Sequence, residues 1–155
     1  MSSAFRKSAR LLIMNALNQV LLFRFRHESD ALAGRVYRAT PCGGVETGET
    51  FEQAALRELR EETGINVDSV GQPLIERTFE MTLPSGEVVL AHEQFYLIKT
   101  GDEDIHTSGW TDNEKTVIVN YHWWDLNELR NTDDIVYPSN IPDICSIPDE
   151  LSTIF

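Results

Sequence analysis

The sequence predicts an α/β (α+β) fold, and three observations predict it. Two long stretches alternate apolar and polar residues with the period of a strand, at 20–26 and 87–99. One stretch, 50–65, carries complete start and stop signals for a helix. Gly, Pro, Asn and Ser clusters divide the remainder into short elements.

In chain order, residues 1–8 read as a loose start. Arg10–Met14 and Val20–Phe25 read as strands joined by a turn at Asn15–Gln19, a hairpin. Leu21, Phe23 and Phe25 share one face of the second strand; Leu22, Arg24 and Arg26 share the other. His27–Gly34 reads as a loop. Val36–Thr40 is a short strand delivered by Pro41 into a glycine turn.

The helix follows. Thr50 serves as N-cap with Gln53 completing a capping box. Phe51, Ala54, Ala55 and Leu59 form a narrow apolar stripe, whose alanines let the helix lie close to a sheet. Gly64 suits the left-handed position that ends a helix.

Beyond it, Leu74–Leu83 and Glu87–Lys99 read as strands joined at Pro84-Ser85-Gly86. Glu93 shares a face with Val89, Ala91, Phe95 and Leu97, so its charge needs a partner. Thr100–Lys115 is a long acidic loop of the kind that often carries function. Asp102, Glu103 and Asp104 in it are candidate bases or solvated surface; Trp110 is a candidate base-stacking platform or an anchor. Thr116–Trp124 is a strand with Trp123 and Trp124 facing opposite ways. Asp125 and Glu128 cap a short helix, and 131–155 is expected to add one or two more.

The totals bound the function. A chain of 155 residues fits one domain, 1–155. A net charge of −12 argues against bulk nucleic-acid binding through a basic surface, but not against a small phosphorylated ligand held through a metal. Cys42 and Cys145 have neither metal-ligand spacing nor a disulfide framework, which points to reduced thiols in the cytoplasm. The apolar run near the start is broken by Asn15, Asn18 and Gln19, so neither a signal peptide nor a membrane span is expected.

The chemistry concentrates in GGVETGETFEQAALRELREETGI, residues 43–65. Glu58, Glu61 and Glu62 stand at i, i+3 and i+4, so a helix sets their carboxylates side by side. Like charges that close weaken a helix unless a cation holds them. Oxygen-only donors suit a hard divalent ion such as Mg²⁺ or Mn²⁺.

The same residues resemble the Nudix box, G-x5-E-x7-R-E-U-x-E-E-x-G-U with U apolar. Gly43, Glu49, Arg57, Glu58, Leu59, Glu61, Glu62, Gly64 and Ile65 match every constrained position. The resemblance covers 23 of the 155 residues. It implies the Nudix fold, a mixed β-sheet sandwiched between α-helices. It implies metal-dependent hydrolysis of a nucleoside diphosphate linked to another group: a nucleotide sugar, ADP-ribose, a dinucleoside polyphosphate or an oxidised nucleoside triphosphate. Glu58 and Glu62 are then the expected ligands of Mg²⁺ or Mn²⁺. Glu61 is a third ligand or a base, one of Glu58, Glu61 and Glu93 positions the water, and Arg57 with Glu49 is a support pair bracing the turn at Gly43. Glu93 becomes an additional ligand or base, against the plain reading of a salt bridge. Arg24 and Arg26 become substrate contacts, against ordinary solvated residues. Where the family usually has a glycine before the first box glycine this chain has Cys42, whose carbonyl can still face a metal and whose thiol can be oxidised, against the plain reading of a small buried residue. Dimers are common in the family. A binding module that senses a nucleotide without cleaving it is the alternative, disfavoured by the complete set of acids.

Overall fold

The structure is a computed structural model and describes residues 5–28, 31–83, 85–101, 105–107, 109–138 and 141–142. Among them run β1 (Phe5–Met14), β2 (Val20–Arg26), β3 (Val36–Ala39), β4 (Cys42–Gly44), α1 (Phe51–Thr63), β5 (Ile75–Thr82), β6 (Val88–Lys99), α2 (Asp112–Val117), β7 (Ile118–Trp124), α3 (Leu126–Asn131) and β8 (Val136–Tyr137).

Asn15 sets the first hairpin. Its side-chain oxygen accepts from the backbone N–H groups of Leu17 (3.0 Å) and Gln19 (2.9 Å), a local turn that asparagine favours. Asn18 beside it takes a φ of 60°, which asparagine also tolerates. β1 and β2 pair antiparallel across this turn, Met14 opposite Val20.

The expectation of a loose start is corrected from Phe5 onward. β1 runs parallel to β6 along its whole length, from Phe5 opposite Leu90 to Met14 opposite Lys99. That pairing is invisible locally because its partner lies some eighty residues away. Residues 1–4 lie outside the described residues.

The eight strands form one mixed sheet in the order β5-β6-β1-β2-β3-β8, with β4 also pairing with β1 and β7 with β2. β1 is the spine, buried from Ser8 to Met14. Its alternate residues feed two cores. Ala9, Leu11 and Ile13 meet Ala54, Ala55 and Leu59 of α1 together with Leu21, Phe23, Tyr96 and Ile98. Leu12 and Met14 point the other way, to Val20, Leu22, Phe95, Trp124, Leu129 of α3 and Ile141. The sheet thus lies between helices, and Trp123 and Trp124 go to opposite faces.

Three other expectations change. The glycine turn is itself a strand, β4, with Ala9 opposite Gly43 and Arg10 opposite Cys42. The end of the acidic loop is helical, α2, because Thr111 and Glu114 form a capping box. The tail contributes β8, parallel to β3; residues 143–155, with Cys145, lie outside the described residues, as does Pro84 of the expected turn before Ser85.

Candidate active site

α1 starts and stops where its caps dictate. Thr50 accepts from the Gln53 N–H at 3.1 Å while Gln53 Oε1 accepts from the Thr50 N–H at 2.9 Å. Gly64 closes the helix at φ 80° and donates its N–H to the Arg60 carbonyl. Between these ends, Glu58 and Glu62 stand one turn apart and are 8% and 3% exposed.

A third carboxylate reaches them from a distant segment. Carboxylate oxygens of Glu58, Glu62 and Glu114 all lie within 4.8 Å of one another. Glu114 is the third residue of α2. It is fixed there by Thr111, whose hydroxyl accepts from the Glu114 N–H at 3.1 Å and whose own N–H donates to Glu114 Oε1 at 2.7 Å. Sequence reasoning missed Glu114, although the Thr111-x-x-Glu114 spacing was the signal. It looked instead to Asp102, Glu103 and Asp104, which lie outside the described residues.

The segment that carries Glu114 is strapped to the end of α1. The indole N–H of Trp110 donates to the Glu62 carbonyl at 2.8 Å, and its ring meets Phe23 edge-on, centroids 5.4 Å apart. The His106 N–H donates to the Thr63 carbonyl at 2.9 Å. Of the two readings of Trp110, the structure draws the anchor.

Arg57 organises the acids around it. Its Nε and Nη2 grip both oxygens of Glu49 at 2.9 Å each, a fork that a lysine lacks. Nη2 also donates to the Gly44 carbonyl at 2.8 Å. Nη1 donates to Glu58 at 2.6 Å and to Glu61 at 3.3 Å. Glu61 is the outermost of these acids, its side chain 40% exposed. Gly43 lies against Glu58 so closely that a Cβ there would overlap the carboxyl group.

Electrostatics follow from this packing. Burial pushes the Glu58 carboxyl above the usual carboxylate range; the Arg57 hydrogen bond and charge oppose this, and the charges of Glu61 and Glu114 add to it. Glu49 is held at about 2 instead of 4.5, chiefly by its hydrogen bonds from Arg57, with burial opposing and the Glu46 N–H helping. The donor set fits a hard divalent cation: three carboxylates, two of them buried, with no nitrogen or sulfur ligand among the described residues.

Other expected site residues are placed elsewhere. Glu93 follows the parity of Phe95, on the sheet face away from α1, and receives Arg10 at 2.8 Å. It is not brought to the glutamate cluster, because strand alternation sets it behind the sheet. Arg24 shares the face of Leu22, opposite Arg38 of β3, likewise away from α1. Arg26 is exposed, 3.7 Å from Glu28. The Cys42 side chain lies outside the described residues.

No curated protein matches the chain. Many solved structures share its fold, among them the following three. The MutT protein from Methanosarcina mazei Go1 superposes with a TM-score of 0.62 at 22% identity, over 99% of this chain and 96% of that one. The E. coli ORF135 protein superposes at 0.60 and 22%, over 91% and 86%. A NUDIX hydrolase from Nitrosomonas europaea superposes at 0.50 and 23%, over 81% and 75%. At such identities these likenesses speak for the fold. The family model of the NUDIX domain matches residues 4–142, nearly the whole chain, and on that match this chain belongs to the Nudix family of pyrophosphohydrolases.

Proposed function

We propose that this chain is a metal-dependent hydrolase of a diphosphate linkage in a small nucleoside diphosphate derivative. One observation carries the reading: Glu58, Glu62 and Glu114 converge from two helices on one point beside the box glycines. Three carboxylates held that close repel one another, and a divalent cation removes the conflict. Mg²⁺ or Mn²⁺ held by Glu58, Glu62 and Glu114 would neutralise the diphosphate and lower the pKa of a water.

The chain's own residues supply the rest. Glu61, whose side chain is 40% exposed and contacts Arg57, is the base of this reading, accepting a proton from the attacking water. Arg57 and Glu49 hold the Gly43–Gly44 backbone against α1. Gly43 leaves room for Glu58. Arg24 and Arg26 act on substrate only where it extends past the strand end. The chain works as one domain, 1–155, since both cores hang on the same central strand. No described helix is long and apolar enough to cross a membrane, and the reduced-thiol reading of the cysteines favours the cytoplasm.

The test is a panel of nucleotide sugars, ADP-ribose, dinucleoside polyphosphates and normal and oxidised nucleoside triphosphates, with Mg²⁺ and with Mn²⁺. Glu62→Gln runs as the control. Cleavage of one class that needs the metal and falls at least about a hundredfold in Glu62→Gln is the expected result. A folded protein that binds one of these nucleotides and cleaves none would overturn the hydrolase in favour of a sensor.

A further inference from the structure

Behind the glycine turn, on the far face of the sheet, lies a buried ion pair that the proposed reaction does not use. Glu93 is 1% exposed and Arg10 is 9% exposed. Arg10 lays Nε and Nη2 on Glu93 Oε2 at 3.1 and 2.8 Å. Its remaining nitrogen, Nη1, reaches Thr40, donating to the hydroxyl at 3.0 Å and to the carbonyl at 3.3 Å. Arg77 stands on the other side of the carboxylate, its Nε 3.7 Å from Glu93 Oε1 and its guanidinium 4.8 Å over the Phe79 ring.

A buried pair of this kind is a weak source of stability, because desolvating both charges offsets most of their attraction. Its geometry is the better guide. Thr40 is fully buried and stands three residues before Gly43. Arg10 itself lies opposite Cys42 in the β1–β4 ladder. The backbone of the turn is tied to the same stretch of β1 at both ends, Leu11 N–H to Pro41 carbonyl at 2.8 Å and Val45 N–H to Lys7 carbonyl at 2.9 Å. Gly43, in the middle, lies against Glu58. A continuous path therefore runs from Glu93 through Arg10 and Thr40 to the backbone that borders a metal-binding carboxylate.

We propose that Arg10 and Glu93 are positioning residues: their ion pair clamps the 40–44 segment from behind the sheet and so sets where Gly43 places Glu58. The planar fork of arginine serves Glu93 and Thr40 from separate, rigidly spaced nitrogens, a fixed geometry that the single point-like ammonium of lysine lacks. The inference rests on the metal reading of Glu58, Glu62 and Glu114.

The test uses the full chain, Arg10→Lys and, because that variant removes a buried contact, Thr40→Val as a milder second one. Two readouts are taken. Amide hydrogen exchange at Leu11 and Val45 reports the clamp, with the β2–β7 ladder, which holds none of these residues, as internal reference. The free-ion electron paramagnetic resonance signal in a Mn²⁺ titration reports the carboxylate cluster. Expected in Arg10→Lys are exchange at Leu11 and Val45 faster by about tenfold with the reference ladder unchanged, and Mn²⁺ binding weaker by about tenfold. Thr40→Val should move both in the same direction by about threefold. Folded variants with unchanged exchange would overturn the clamp, and faster exchange with unchanged Mn²⁺ binding would overturn its coupling to the site. A wild-type protein that takes up no Mn²⁺ would overturn the metal reading and the inference with it. That outcome is distinct, since the coupling alone fails only where the wild type binds and the variants bind equally.

Discussion

Gly43 is a single residue at which the proposed catalysis can be tested apart from stability. The three atoms nearest a Cβ there, Cδ, Cγ and Oε1, all belong to the Glu58 side chain, so it is the side chain of Glu58 that would have to turn aside. Gly43→Ala should therefore fold with a thermal midpoint near the wild type and lose at least about tenfold in turnover, since a carboxylate displaced by an ångström no longer meets its ion well. Calorimetry and steady-state rates on the same preparation check it; a large fall in midpoint with activity intact would contradict it. Glu49 gives the pH counterpart. Its carboxyl is lowered from 4.5 to about 2 by Arg57, so the native state binds its proton later than the unfolded chain. The stabilisation is full above about pH 4.5 and is lost as pH falls toward 2. The stability gap between wild type and Glu49→Gln should thus be widest near neutrality and close across that window, as read by urea denaturation at a series of pH values.

At the scale of elements, α1 is governed by its ends. Gly64 sits at φ 80° with a Cβ there falling 2.7 Å from the His106 Cβ. Gly64→Ala should cost about 1–2 kcal/mol for the left-handed backbone alone, and should also lift the strap that carries Glu114. Thr111→Ala should cost about 1 kcal/mol as a lost cap and lower turnover modestly, because it removes the hydroxyl that accepts from the Glu114 N–H while the backbone N–H that donates to the Glu114 carboxylate remains; urea denaturation and rate measurements on both variants check this pair. These elements also show what was legible in advance. α1, its caps and the spacing of its glutamates were readable because each rests on residues within four positions of one another. Glu114 was not, because its place depends on Trp110 and His106 folding back onto Glu62 and Thr63. The parallel β1–β6 pairing was not, because alternation shows which residues share a face but not which strand lies alongside. For the same reason the need of Glu93 for a partner could be read, while the partner, Arg10, could not.

For the whole molecule, the proposed metal site would make stability depend on the cation in both directions. Without metal, Glu58, Glu62 and Glu114 hold like charges within 4.8 Å of one another, in surroundings that screen them poorly because two of the three are buried. Folding the metal-free protein therefore works against that repulsion. An ion that binds the native state and not the unfolded chain stabilises by RT ln(1 + [L]/Kd), about 2.7 kcal/mol at a hundredfold excess over Kd. For a domain of this size that corresponds to a rise of roughly 5–10 °C in thermal midpoint. Glu62→Gln removes one of the repelling charges and one of the ligands together. Its midpoint in EDTA should equal or exceed that of the wild type, and its rise on adding Mn²⁺ should be small or absent. Four melting curves, two proteins with and without the ion, decide the matter. A variant less stable than wild type in EDTA, yet raised as much by Mn²⁺, would mean that Glu62 is a packing residue and that the ion binds elsewhere.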